Sequence, residues 1–135
     1  MADKQAIAEI LGRLGWAYDS GNLDYFEAVY FKDSRFTVSI AGMGQVGDYR
    51  GIDKIMELYR GSKATQTDQR RHMISNLFFA EESASSATAV SCLTLLATKD
   101  GVTKVLSAGV YTDKFVLLGG AWRIQHRDLA LDAPY

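Results

Sequence analysis

Ile7, Ile10, Leu11, Leu14 and Tyr18 recur along residues 3–20 on a single helical stripe, advancing by about 100° per residue. The pattern predicts an amphipathic helix that opens on Asp3 as N-cap and stops at Gly21. On the same wheel Ala8, Gly12, Gly15 and Asp19 form a seam beside the stripe, its small residues leaving room for a backbone or a ligand to approach. A second, short helix is expected over LDYFEAVY, with Asn22 as its cap and Asp24 in its first turn. A third over IDKIMELYRGS sets Ile52, Ile55, Met56 and Tyr59 on one side. Between these two, SRFTVSIA reads as a strand by its β-branched and aromatic content, and GMGQVGDYRG as a glycine-rich connector with room for a short strand.

From residue 70 onward the texture changes to long strands: RRHMISNLFFA, SATAVSCLTLLATK, TKVLSAGVYTDKFVLL and AWRIQHRDLAL. They are punctuated by EESAS, by Asp100-Gly101 and by Gly119-Gly120, and the last two are two-residue hairpin signals. A four-strand antiparallel meander, preceded by three helices and at least one earlier strand, predicts an α+β domain with its helices on one face of a curved antiparallel sheet. Apolar residues fall at both parities in TLLA and KFVLL, so both faces of the sheet are expected to be covered, one by helices and the other by a second subunit. A homodimer or homotrimer is the expectation.

Length and composition narrow the partners. The 135 residues suit one domain, residues 1–135, and the mix of 47% apolar and 23% charged residues is globular. A net charge of −1 and a pI near 6.1 leave no cationic surplus for a nucleic-acid backbone. Cys92 is the single cysteine, so neither an internal disulfide nor a cysteine-rich zinc pattern is available. MADKQAIAEIL lacks the apolar core of a signal peptide, and no stretch approaches the roughly 18 apolar residues of a membrane span. A cytoplasmic location without membrane association is expected. The connector GMGQVGDYRG has neither a GxGxxG after a strand nor a P-loop lysine, and no second histidine stands at metal-ligand spacing. The expected partner is a small molecule or a protein, with no cofactor.

Candidate chemistry begins with Asp19. A carboxylate in the last turn of a helix faces the negative end of the macrodipole, at a cost of a few tenths to about 1 kcal/mol, and calls for a partner. Of the two histidines, His72 lies in a predicted strand in which His72, Ile74, Asn76 and Phe78 share one face at period two, a mixture that suits a lined cavity. An imidazole within reach of Asp19 would relieve the penalty and have its tautomer fixed, making a usable general base in an apolar cavity. A solvated Asp19 with a structural His72 is equally compatible with the spacing. Tyr18 falls on the main apolar stripe, which favours core packing, whereas Tyr111 and Asn76 suit either a satisfied interior or a hydrogen bond to a substrate oxygen. Arg127 and His126 lie on opposite faces of the last strand, so at most one points inward, and His126 is expected to be peripheral.

AYDSGNLDYFEAVYFKDSRFTVS, then RRHMISNLFF about fifty residues later, then GVYTDKFVLLGGAWRIQHR, together resemble the SnoaL-like, scytalone dehydratase-like branch of the nuclear transport factor 2-like superfamily. The resemblance implies a conical α+β barrel whose three N-terminal helices and curved sheet enclose an apolar pocket. It implies that Asp19 in YDSGNLD and His72 in RRHMISN are catalytic, the aspartate orienting a histidine that removes a proton next to a leaving group. It also brings Tyr18, beside the aspartate, and Arg127, near the end, toward the substrate, an interface salt bridge being the alternative use of Arg127. The implied function is a cofactor-independent lyase or isomerase acting on a small hydrophobic cyclic or aromatic-derived molecule. The alternatives are a non-catalytic partner resembling a dioxygenase β subunit, or a protein that only binds a small apolar ligand. This chain departs from scytalone dehydratase in carrying no second histidine in AVSCLTLLATK, and in placing Tyr111 where that enzyme has an asparagine.

Overall fold

A computed structural model describes residues 1–135, with helix α1 (Lys4–Ser20), helix α2 (Asp24–Val29), strands β1 (Tyr30–Ile40) and β2 (Gly44–Arg50), helix α3 (Ile52–Thr65), and strands β3 (Gln69–Glu82), β4 (Ser86–Lys99), β5 (Val102–Leu118) and β6 (Ala121–Leu131). Asp3 caps α1 by accepting the Ala6 N–H at 3.0 Å. The helix ends in a Schellman motif: Gly21 takes φ 80°, its N–H bonds the Tyr18 carbonyl, and the Asn22 N–H bonds the Ala17 carbonyl. Asn22 closes α1 through its backbone N–H, and the N-cap of α2 is not Asn22 but Leu23, without a side-chain bond. No helix is long and apolar enough to cross a membrane.

The strands form one curved, open sheet in the order β2-β1-β6-β5-β4-β3. Asp100 and Gly101, and likewise Gly119 and Gly120, all take positive φ, the type I′ geometry whose twist matches the β4–β5 and β5–β6 hairpins. The expectation of a wholly antiparallel sheet needs one correction. β1 pairs with β6 in parallel, a connection that requires a long crossover, and everything from β2 to β5 supplies it.

Cross-strand register sorts the two faces. Leu93, Leu95, Phe115 and Ile124 point inward and pack against Ile7, Leu11 and Leu14 of α1, Phe26 and Val29 of α2, and Ile55 and Met56 of α3. Outward, in register with one another, lie Cys92, Val110 and Ala130, flanked by Val90 and Leu96, all half-buried.

Strand β3 carries a bulge between Ser75 and Phe78, where Asn76 takes φ 54°. Arg70, His72 and Ile74 are half-buried on the inner side. Past the bulge the inward set shifts to Leu77 and Phe79, while Asn76 is exposed and Phe78 is 56% exposed. The period-two reading that put Asn76 and Phe78 on the face of His72 is thus overturned by one inserted residue.

Gly109 shows how closely β5 and β6 approach. A Cβ there would lie 2.5 Å from the Ala130 carbonyl oxygen. Gly109→Ala is expected to destabilise the fold by about 1–3 kcal/mol through forced displacement of the ladder, read as a lower urea midpoint at unchanged m-value.

Candidate active site

The C-terminal turn of α1 lies against β3, which is an edge strand. Close approach is possible because position 15 is glycine: a Cβ there would lie 3.0 Å from the His72 carbonyl oxygen and 3.2 Å from its Cβ. Asp19, one helical turn further on, is buried, and its carboxylate takes two hydrogen bonds from one residue. Oδ2 accepts the backbone N–H of His72 at 2.7 Å, and Oδ1 meets the His72 ring at Nδ1, also at 2.7 Å. An ionised carboxylate accepts only, so Nδ1 is the donor and, in the neutral tautomer that this selects, the lone pair is on Nε2, which has no hydrogen-bond partner in the protein. The macrodipole penalty is offset as well. The Asp19 backbone carbonyl, one of the unsatisfied groups at the helix end, accepts from Lys63 Nζ at 3.2 Å and from Gln69 Nε2 at 3.1 Å.

His72 lines a cavity of about 220 Å³ together with Tyr18, Phe36, Tyr49, Tyr59 and Tyr111, with Leu129 and Leu131 from β6. A second, deeper space of about 30 Å³ shares Tyr18, Tyr59, His72 and Tyr111 and reaches Arg127. The aromatic walls brace one another edge-on: Tyr18 against the His72 ring at 5.0 Å between centroids, Tyr59 against Phe26 at 4.5 Å and against Phe36 at 5.7 Å. Burial pushes the phenols of Tyr18, Tyr30, Tyr59 and Tyr111 up, Tyr30 to about 12. At neutral pH all four are hydroxyls. That of Tyr111 has no hydrogen-bond partner in the protein and so is available to a ligand.

Behind Tyr111 lies the one fully buried ion pair. Arg127 donates to Asp113 through Nε at 2.9 Å and Nη2 at 3.3 Å, and its guanidinium stacks 3.7 Å from the centroid of the Tyr111 ring. Burial alone would drive the Asp113 carboxyl toward its neutral form, but the forked guanidinium cannot give up its proton and keeps the pair ionised. Asp113 and Arg127 face each other in register, one row from Tyr111 and Leu129, so the sheet itself sets the stack.

The structure sets His72, Tyr18 and Tyr111 around the cavity with Asp19 bonded behind His72, and places Arg127 at its deep end, paired with Asp113. Tyr18 is both core and wall. Asn76, on the bulge, lies away from the cavity. His126 faces the other way, its Nε2 2.8 Å from the Thr37 hydroxyl. Sequence reasoning missed Asp113, Tyr49, Ser62 and Arg70. Two of these carried a signal: Asp113 is two residues from Tyr111 and Arg70 two from His72, hence on the same faces. No group of three or more His, Cys, Asp or Glu side chains stands close enough to hold a metal ion.

The helices and the curved, open six-stranded sheet together make a cystatin-like α+β fold. Residues 1–128 match the SnoaL-like domain, and the chain belongs to that family. Among solved structures it is similar to a chain from Novosphingobium aromaticivorans DSM 12444 proposed to be the β subunit of an aromatic-ring-hydroxylating dioxygenase, at 19% identity over 98% of this chain and 90% of that one, with a TM-score of 0.84. A Nostoc punctiforme PCC 73102 protein of unknown function with a cystatin-like fold is 20% identical over 96% of this chain and 91% of that one, with a TM-score of 0.81. A proposed scytalone dehydratase, also from N. aromaticivorans, is 22% identical over 94% and 82% of the two chains, with a TM-score of 0.75. At these identities the likeness is one of fold. No curated protein sequence matches the chain.

Removing one member of the buried pair isolates a charge. Asp113→Ala is expected to destabilise the protein by about 3–5 kcal/mol by leaving Arg127 unpaired, whereas a double replacement by apolar residues of similar volume costs far less. Urea unfolding of both variants measures the difference.

Proposed function

We propose that the protein is a cofactor-independent lyase or isomerase that removes a proton from carbon in a small hydrophobic cyclic substrate. The observation that carries this reading is the doubly anchored Asp19–His72 pair, whose unpartnered Nε2 belongs to a ring lining an aromatic cavity. Nε2 takes the proton from a carbon next to a carbonyl, and Asp19 balances the charge of the resulting imidazolium. Tyr111, its hydroxyl protonated and unpartnered, donates to the developing enolate oxygen. In an elimination, the C–O bond at the neighbouring carbon then breaks, and the departing hydroxyl leaves as water with the proton returned by His72. In an isomerisation, the same proton is returned to carbon at another position. Asn76, exposed on its bulge, has no part in this scheme.

A suitable probe is a β-hydroxy cyclic ketone such as 3-hydroxy-1-tetralone, whose dehydration yields fluorescent 1-naphthol. Wild-type protein is expected to accelerate naphthol formation, Asp19→Asn and His72→Ala to lower kcat by about 10²–10⁴, and Tyr111→Phe by about a hundredfold. Full activity in both Asp19→Asn and His72→Ala, on any substrate that wild type turns over, would end the proposal. Turnover by no cyclic ketone or alcohol, combined with copurification of a larger oxygenase chain, would favour the partner-subunit reading.

The outer face of the sheet supports a second copy of the chain as partner. Met73 and Phe78 are exposed there, next to the half-buried row of Cys92, Val110 and Ala130. Light scattering at micromolar concentration is expected to give a dimer or trimer, and Val110→Lys a monomer; a monomeric wild type would refute the arrangement.

A further inference from the structure

Arg70 is absorbed by neither the catalytic scheme nor the core. It stands two residues before His72 on the inward side of β3, about 6–7 Å away along the strand, and contributes to the wall of the same 220 Å³ cavity. Its guanidinium uses one of its five donors, Nε bonding the Asp68 carboxylate at 3.0 Å. The four N–H groups of its two terminal nitrogens have no acceptor in the protein. The side chain is only 20% exposed and lies 5.4 Å from the centroid of the Tyr135 ring, so it is held in place and partly desolvated. Across the sheet, Arg70 pairs with Ala97, which is too small to cover it.

The rest of the cavity wall is apolar, aromatic or hydroxylic apart from His72, and it contains no carboxylate side chain. Arg127, in the deeper space, already spends both Nε and Nη2 on Asp113, whereas Arg70 gives Asp68 only its Nε. Arg70 is therefore the one fixed cation whose forked end is free toward a ligand. Its planar pair of terminal nitrogens matches a carboxylate bidentately.

We propose that the ligand of this cavity is a cyclic or aromatic carboxylate, its carboxylate held by Arg70 at the mouth and its ring lying among Tyr18, Tyr59 and Phe36. This assignment rests on the reading of the cavity as the substrate pocket, and it names the substrate class for that pocket. Arg70 is a specificity-determining residue, and the spacing along β3 sets the distance between the carboxylate and the carbon presented to His72.

The test is calorimetric binding of 2-naphthoate and its neutral isostere 2-naphthamide to the full chain and to Arg70→Met. In wild type the carboxylate is expected to bind about tenfold more tightly than the amide, the worth of a charge-assisted hydrogen bond. Raised salt should narrow the gap. In Arg70→Met the gap should close, chiefly through weaker naphthoate binding, and an unchanged circular dichroism spectrum shows that the variant is folded. Naphthoate binding no more tightly than naphthamide in wild type, or a preference that survives in Arg70→Met, would overturn the proposal and leave Arg70 as a structural partner of Asp68. Because the readout is binding and not turnover, failure of the Asp19–His72 mechanism leaves this result intact, and the reverse holds as well.

Discussion

The junction between the end of α1 and the edge of β3 is the constraint from which the rest of the site follows. A helix terminus leaves carbonyls without partners, and an edge strand leaves N–H groups without partners. Here the two deficits meet. The Asp19 side chain takes the free strand N–H of His72, and the Asp19 carbonyl is satisfied by Lys63 and Gln69. The second carboxylate oxygen is then left beside the imidazole, so the tautomer of His72 is fixed by secondary structure and not by a loop. Gly15 is the enabling residue, since any side chain there would press on the His72 backbone.

The other polar groups are placed by the register of the sheet. Asp113 and Arg127 are opposite each other on β5 and β6, and Tyr111 and Leu129 form the next row toward the cavity. Because the buried pair is neutral as a whole, it fixes the Tyr111 ring without contributing a net charge to the pocket floor. Burial holds the phenol protonated, so the floor offers a donor to a ligand oxygen. An unpartnered imidazole nitrogen on one wall and a neutral donor on another is the arrangement that the proposed proton abstraction next to a carbonyl would use.

The architecture was legible because its signals are local. Helical spacing in residues 3–20, the αL glycine at 21, and the Asp-Gly and Gly-Gly turns each act within a few residues, and the expected helices and long strands are present. The parallel β1–β6 ladder was not legible, since nothing in either strand encodes which distant partner it will find. The bulge at Asn76 was missed for a related reason: an alternating pattern carries no mark of an inserted residue, and one insertion turned Asn76 and Phe78 outward. The pairing of Asp19 with His72 was suggested by an unfavourable dipole position and by family resemblance. The spacing of 53 residues between them carried no signal of its own. Asp113 and Arg70 went unread although both lie at the inward parity of residues already singled out, because charged residues on a strand are ordinarily assigned to the solvent face.

That assignment fails for a physical reason that also explains where the cavity lies. The strands of this sheet run to 17 residues, whereas α2 has six and α3 fourteen. The helices therefore cover only part of the curved inner face, and the uncovered part is lined by Leu129 and Leu131 together with Tyr49, Tyr111 and the inward side of β3. Inward-pointing polar residues are tolerated there because the space is not closed, and those further in are tolerated because they are paired. Strand β3 thus carries a guanidinium with two unpartnered terminal nitrogens and an unpartnered imidazole nitrogen on one rigid face, two residues apart. For the proposed carboxylate ligand, touching both groups would let the strand itself orient it, the distance from its charged end then deciding which carbon meets His72.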